Sequence, residues 1–206
     1  MNSAVQKTWA PLHWANVLSQ YAVWAAGTLL IASVLLISFD VVARKFWGFN
    51  TGGADELSSF AFAISTSWAL AFATLQRANV RVDVLYQLLP IKLAAFLDWL
   101  SVVALGVFMV FLTWYAWDVL ATSWIQDSTA NSTMATPLWI PQGLWFIGLI
   151  WMSIVMALML VRSSYLFVTG DMEALQQLCG VRSAQEEADE EAANGERLIQ
   201  SEREGR

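Results

Sequence analysis

The hydrophobic positions of this chain fall into four long runs separated by short polar segments. The runs cover residues 17–39, 57–75, about 93–117 and 139–161. A bilayer core about 30 Å thick needs roughly 20 apolar residues per helix, so each run is long enough to span it. Hydrocarbon does not solvate free peptide groups, so each run must be a helix or part of a closed barrel, and these runs are too long and uninterrupted for barrel strands. The pattern predicts an all-α integral membrane protein with four transmembrane helices.

The segment between the second and third runs, "LQRANVRVDVLYQLLP", places charges in an otherwise apolar region. From Val84 onward its apolar residues recur near helical spacing, which predicts an interfacial amphipathic helix between the second and third spans. Arg77 and Arg81 would both face lipid phosphates if the second helix continues, and Asp83 would cap the helix entered at Val84. A specific contact with a partner protein is the alternative, and the two roles are compatible. The predicted membrane-interface anchors are Arg44, Lys45, Arg77, Arg81 and Asp83.

Composition agrees with a membrane protein, because 57% of the 206 residues are hydrophobic and only 14% are charged. Residues 171–206 contain ten acidic and four basic residues, so this segment alone accounts for the net charge of −6. The run 183–206 has strong helix formers but no continuous apolar stripe, so we interpret it as a frayed helix or a disordered tail, with docking on a partner as the alternative. The predicted division is an N-terminal segment 1–16, a four-helix membrane domain 17–165 and an acidic tail 166–206.

Basic residues near the predicted spans are distributed unequally between the two sides of the membrane. The side that holds both termini carries Lys7, Arg77, Arg81, Lys92 and Arg162, whereas the other side carries Arg44 and Lys45. Lys and Arg favour the cytoplasmic side, so both termini are predicted to be cytoplasmic. A cleaved signal peptide is the alternative for the first run, but the run is longer than the usual apolar core of about 7 to 15 residues.

Residues that could carry catalysis or bind a cofactor are scarce. The only histidine is His13 and the only cysteine is Cys179, which excludes a bis-histidine haem site, a cysteine cluster and a thiol–disulfide relay within the chain. Asp40, Asp98 and Asp118 lie within about two turns of a predicted helix end, not at mid-span, where a small proton-coupled exporter carries its carboxylate. We therefore predict no catalytic residue, no cofactor and no metal site.

Four short segments between roughly residues 29 and 160 occur in an order that is typical of a known family. The segments are the basic–aromatic group Arg44, Lys45 and Phe46, the acidic pair Asp55 and Glu56, the run 77–83, and the Pro-led helix "STMATPLWIPQGLWFIGLIW". In this order and spacing the chain resembles the DctQ family, the small membrane subunit of tripartite ATP-independent periplasmic (TRAP) transporters.

Two positions depart from that family's pattern. The family segment has the form R-x-G-H-I-R-V-D, and Ala78 and Asn79 replace its Gly-His here. The region of Ser59 and Phe60 replaces a basic residue that the family carries shortly after the acidic pair. Roles that depend on that histidine or that basic residue are therefore not expected in this chain.

The resemblance implies a transport subunit and not an enzyme. In TRAP systems a periplasmic binding protein captures an organic acid or similar solute, and a large membrane subunit moves it with a sodium gradient. The small subunit braces the large one and helps to form the docking surface. The implied location is the bacterial inner membrane, and the implied partners are the large subunit, the binding protein and membrane lipid, with no nucleic acid.

Acidic residues in the two predicted periplasmic loops are the candidate partner interface. They are Asp55, Glu56 and Asp127. Exposed charges of this kind steer an approaching partner, whereas a purely structural role would complement the positive amino end of a helix. Two functions from other classes stay open at this point: a free-standing small four-helix transporter, and a membrane anchor for a soluble partner.

Overall fold

A computed structural model of the chain describes residues 9–49, 52–78, 89–132 and 134–180, together with residues 192, 195, 196 and 200. These residues form five helices: α1 (Ala10–Trp47), α2 (Ala54–Leu75), α3 (Ile91–Ile125), α4 (Trp139–Thr169) and α5 (Met172–Cys179). The first four are long and apolar enough to cross a membrane. The prediction of an all-α protein with four spans is confirmed over the described residues.

Two predicted segments fall largely outside the described part of the chain. The amphipathic helix expected from Val84 begins in residues 84–88, which lie outside the described residues, and the segment that follows from Ile91 is the start of α3. The acidic run 183–206 is also outside the description, apart from residues 192, 195, 196 and 200.

The long helices differ in how well their lengths match a bilayer. With a rise of 1.5 Å per residue, the 22 residues of α2 extend about 33 Å, close to the hydrocarbon thickness. The 38 residues of α1 extend about 57 Å, and the 35 of α3 and 31 of α4 extend about 53 and 47 Å. These three helices must therefore tilt or project beyond the hydrocarbon.

Each long helix ends at a residue in the left-handed region of backbone conformation. Glycines terminate two of them, Gly48 after α1 with φ of 63° and Gly170 after α4 with φ of 78°. The other two ends use Arg77 and Asp127, with φ of 57° and 47°. A left-handed residue lets a following amide bond back to a last-turn carbonyl, as Ala78 N does to the oxygen of Ala73.

The four long helices pack side by side in the order α1, α2, α4, α3. Small residues form much of the contact between α1 and α2, and the buried positions of α2 are almost all Ala, Ser or Thr. Ser65 donates a hydrogen bond of 3.0 Å to the carbonyl oxygen of Ala26, so the two helix backbones lie close together. Close packing of small residues is a main source of helix association in lipid, where the hydrophobic effect between helices is absent.

Three indole N–H groups form hydrogen bonds between helices of the row. Trp68 donates to the carbonyl oxygen of Leu144, Trp151 donates to the hydroxyl of Ser19 and Trp99 donates to the hydroxyl of Ser164, each at 3.0 Å. An unsatisfied N–H in hydrocarbon would cost several kcal/mol, so these tryptophans must find acceptors on neighbouring helices. The bonds join α2 to α4, α4 to α1 and α3 to α4.

The short helix α5 packs against α3 and α4 directly after the last span. Gly170 turns the chain, and Asp171 caps α5 by accepting a hydrogen bond of 3.1 Å from the amide of Ala174. Leu175 and Leu178 are fully buried. The sequence interpretation did not include this helix, which extends the folded unit beyond the fourth span.

We expect Gly148 to set the closest approach of α2 and α4. A Cβ atom at this position would lie 2.9 Å from the Cβ of Ser67 and 2.9 Å from Cδ1 of Trp68, so Gly148→Ala should cost about 1 to 3 kcal/mol by forcing the helices apart. The matched control is Gly143→Ala on the same helix, where an added Cβ meets nothing within 4 Å and helix propensity favours alanine by up to about 1 kcal/mol. Thermal unfolding midpoints in one detergent should rank Gly143→Ala at or above wild type and Gly148→Ala below it. Equal midpoints for the two variants would contradict the close contact.

Candidate functional site

The predicted site residues that the structure describes lie at the two ends of the helical row. The carboxyl ends of α1 and α3 meet the amino ends of α2 and α4 at one end. We call it the loop end and define it by the described residues 44–49, 52–56, 126–132 and 134–138. The opposite end, called the tail end, holds the start of α1, residues 76–78, the start of α3 and α5. Arg44, Lys45, Asp55, Glu56 and Asp127 belong to the loop end, and Arg77 belongs to the tail end.

Arg44 is engaged with a neighbour on its own helix. Its guanidinium donates to the carboxylate of Asp40 at 2.5 Å, across one helical turn. Asp40 is buried, whereas about half of the Arg44 side chain is exposed. Their spacing of four residues places both side chains on one helix face, and the pair lets a buried carboxylate lie about two turns from the end of α1. Lys45 is exposed and lies 5.8 Å from the ring centre of Phe46.

Asp55 and Glu56 occupy the first turn of α2, but their surroundings differ. Asp55 is exposed, whereas Glu56 is half-buried. Oε2 of Glu56 accepts a hydrogen bond from the hydroxyl of Ser132 in the second loop. Oε1 of Glu56 is buried and has no hydrogen-bond partner among the described residues. The two adjacent carboxylates therefore meet different environments.

The described part of the second loop is hairpin-like. Thr129 and Pro137 form an antiparallel β-bridge. The amide of Ala130 donates to the oxygen of Thr136 at 2.9 Å, and the amide of Leu138 donates to the oxygen of Ser128 at 3.0 Å. These bonds join residues 128–130 to residues 136–138 directly before α4.

Asp127 lies at the base of this hairpin, where α3 ends. Its side chain is exposed and its φ is 47°, and the following amide of Ser128 returns to the oxygen of Ser123 at 3.0 Å. Asp tolerates the left-handed region better than most residues, because its short side chain can bond locally. Asp127 therefore ends a helix and presents a charge at the same time.

Arg77 occupies the equivalent position at the tail end. With φ of 57° it ends α2, so the helix does not continue through this residue to bring Arg77 and Arg81 onto one face. Its guanidinium lies 3.5 Å from the carbonyl oxygen of Gln176 in α5. A small cavity beside it is also lined by Thr74, Ser101 and Cys179. Arg81 and Asp83 fall outside the described residues, and anchoring by all of these groups stays a prediction.

The polar side chains of the candidate site described above lie at the helix ends and in the loops. The described residues contain no cluster of three His, Cys, Asp or Glu side chains that could hold a metal ion. The buried carboxylates of Asp40 and Asp98 lie about two turns from their helix ends. The described loops and helix ends present hydrogen-bonding and charged groups, which suit contact with another macromolecule.

Sequence reasoning missed how the two loops meet. Ser132 lies 76 positions from Glu56, and no periodic pattern links them. Gly53 is likewise buried under Met134, whose Cγ would lie 2.8 Å from a Cβ placed on the glycine. The paired glycines Gly52 and Gly53 were the only available signal, since glycine often marks a close backbone approach.

Comparison with known proteins gives one match. The family model described as tripartite ATP-independent periplasmic transporters, DctQ component, matches residues 33–165. Neither a search of curated proteins nor a search of solved structures found a match. The matched segment begins inside α1, covers both loops of the loop end and ends inside α4, so it includes more than half of the chain. This four-span membrane protein belongs to the DctQ family of TRAP transporter components.

Proposed function

We propose that this chain is the small accessory subunit of a sodium-coupled, binding-protein-dependent transporter. It braces the large permease subunit and contributes to docking of the periplasmic binding protein, for uptake of an organic acid or similar solute. The family match carries the assignment to a TRAP component. Sodium coupling, the docking role and the identity of the partners are expectations drawn from the family.

The distribution of polar groups supports an accessory role. The central turns of the four spans contain no Asp, Glu, Lys or Arg, so they offer no charged group to a solute or a coupling ion. The outer helices α1 and α3 expose many large apolar side chains, which suit lipid tails and the apolar surface of another membrane protein equally well. A translocation path through this row of helices would have hydroxyl and indole groups along it but no charged group at its centre.

A reconstitution experiment tests the proposal directly. Purification through a tag on this chain from its native membranes should recover a large multi-span permease. In liposomes, the two membrane subunits with the periplasmic binding protein should take up solute along a sodium gradient, and this chain alone should not. Uptake by this chain alone would establish a free-standing transporter. Recovery of a cofactor-bearing soluble protein without a permease would establish a membrane anchor.

The loop end is proposed to face the periplasm and the tail end the cytoplasm of a bacterial inner membrane. The unequal distribution of Lys and Arg supports this orientation. Reporter fusions at Thr129 in the hairpin and at Gly180 after α5 should report opposite sides, with Thr129 periplasmic. A periplasmic signal at Gly180 would invert the topology and remove both loops from the binding protein.

Asp55 and Asp127 are proposed to attract the binding protein through charge. Asp55→Asn with Asp127→Asn should slow uptake about fivefold at low ionic strength, the effect of roughly 1 kcal/mol of exposed charge attraction. Asn tolerates the left-handed conformation of residue 127, so the loop backbone should be retained. The difference should shrink as salt screens the wild-type charges.

The control for this pair is Glu173→Gln, which removes an exposed acid at the tail end and should leave uptake unchanged. The double variant and the control should give the same yield of transporter complex in detergent as wild type. Full uptake by the double variant at low salt would leave Asp55 with its helix-terminus role and Asp127 with its helix-ending role.

A further inference from the structure

Two neighbouring contacts join the two loops at the loop end. Ser132 donates its hydroxyl hydrogen to Oε2 of Glu56. Met134 packs on Gly53, which is buried. The hairpin is therefore seated on the amino-terminal end of α2 through both a polar and an apolar contact.

The Glu56 carboxylate is poorly placed to attract a partner by charge. It is half-buried, one of its oxygens is occupied by Ser132, and the other is shielded without a hydrogen-bond partner among the described residues. Asp55 and Asp127, by contrast, are exposed at either side of this contact. A shielded carboxylate contributes little to long-range steering, but it is a strong acceptor for a hydroxyl.

We propose that Glu56 is a positioning residue that holds the hairpin, described at residues 128–132 and 134–138, on α2 and so preforms the surface that carries Asp55 and Asp127. The use of this surface by a binding protein rests on the proposed function, but the seating of the hairpin does not. What the hairpin requires from residue 56 is a hydrogen-bond acceptor of the length of Glu, not a negative charge. Gln supplies that acceptor, and Ala does not.

The hairpin also has internal features that make an external hold useful. Ala135 has φ of 46°, a conformation that is unfavourable for a residue with a Cβ. Its amide is satisfied by Ser132 twice, by the backbone oxygen at 3.2 Å and by the hydroxyl at 3.3 Å. Ser132 thus stabilises the strained turn and fastens it to Glu56. In Ser132→Ala the backbone bond to Ala135 remains, so the variant mainly removes the link to Glu56.

A disulfide between the loops measures the seating without any transport assay. The test uses a full chain with Cys179→Ala, Gly53→Cys and Met134→Cys. The Sγ atom of residue 134 would take the position of the present Met134 Cγ, which lies 2.8 Å from a Cβ placed on residue 53. In a disulfide, the Cβ of one cysteine lies roughly 3 Å from the sulfur of the other. The bond should form readily in oxidising buffer. Redox titration against glutathione should show an effective concentration about tenfold lower when Glu56→Ala or Ser132→Ala is added, because one charge-assisted hydrogen bond is lost. Glu56→Gln keeps an acceptor but loses the charge, so its effective concentration should lie between those of wild type and Glu56→Ala, about threefold below wild type.

Uptake by the complete transporter then distinguishes positioning from charge. If Glu56 positions the hairpin, Glu56→Ala and Ser132→Ala should slow uptake to the same extent, and their double variant should be no slower than either. Glu56→Gln should be closer to wild type than Glu56→Ala. A charge role requires Glu56→Gln to be as slow as Glu56→Ala with Ser132→Ala normal, and that result would overturn the proposal. Failure of the disulfide to form would also overturn it. A disulfide with the expected variant effects, together with normal uptake by all variants, would uphold the seating and refute the docking function.

Discussion

Hydrocarbon cannot hydrogen-bond, and nearly every feature of this protein answers that constraint. The four spans are helices because only helices satisfy their own peptide groups. Side-chain donors inside the row follow the same rule, since the indoles of Trp68, Trp99 and Trp151 each reach an acceptor on a neighbouring helix. Those bonds can form only because small residues such as Gly148 let the helices approach closely. Packing and polar satisfaction thus depend on each other across the whole row.

The same constraint concentrates irregular backbone at the two ends, where water or polar neighbours can satisfy it. The helix-ending residues Arg77 and Asp127 adopt the left-handed region although neither is glycine. Each has a structural task before any functional one. A change at either position alters a helix end as well as a charge, so substitutions there need a residue such as Asn or Gly that tolerates the conformation.

The sequence predicted the spans well because hydrophobic run length reports directly on bilayer thickness. It placed the ends of α1 poorly, since α1 extends over Ala10–Trp47 and includes Asn16, Asp40 and Arg44. Hydropathy cannot show that Asn16 accepts a bond from Gln76 at 3.2 Å or that Asp40 is paired. The helix α5 escaped notice because eight residues are too few for a periodic signal, although Asp171 followed by Leu175 and Leu178 is a capped apolar face.

The candidate site shows the limit of reading charge from sequence. Asp55, Glu56 and Asp127 look alike as acids in two loops, and composition alone groups them as one acidic surface. The fold separates them, because Asp55 is exposed in the first turn of α2, Asp127 ends α3, and Glu56 accepts a hydrogen bond from a residue 76 positions away. That contact depends on how the chain turns at Gly52 and Ala135, which have positive φ, and neither turn is encoded by periodicity. Near the positive amino end of α2, a half-buried carboxylate is also less costly than elsewhere in the loop, because the helix dipole offsets part of its desolvation. The helix therefore makes it possible for Glu56 to give up water and hold the hairpin, and the neighbouring exposed acids keep their charge available to solvent.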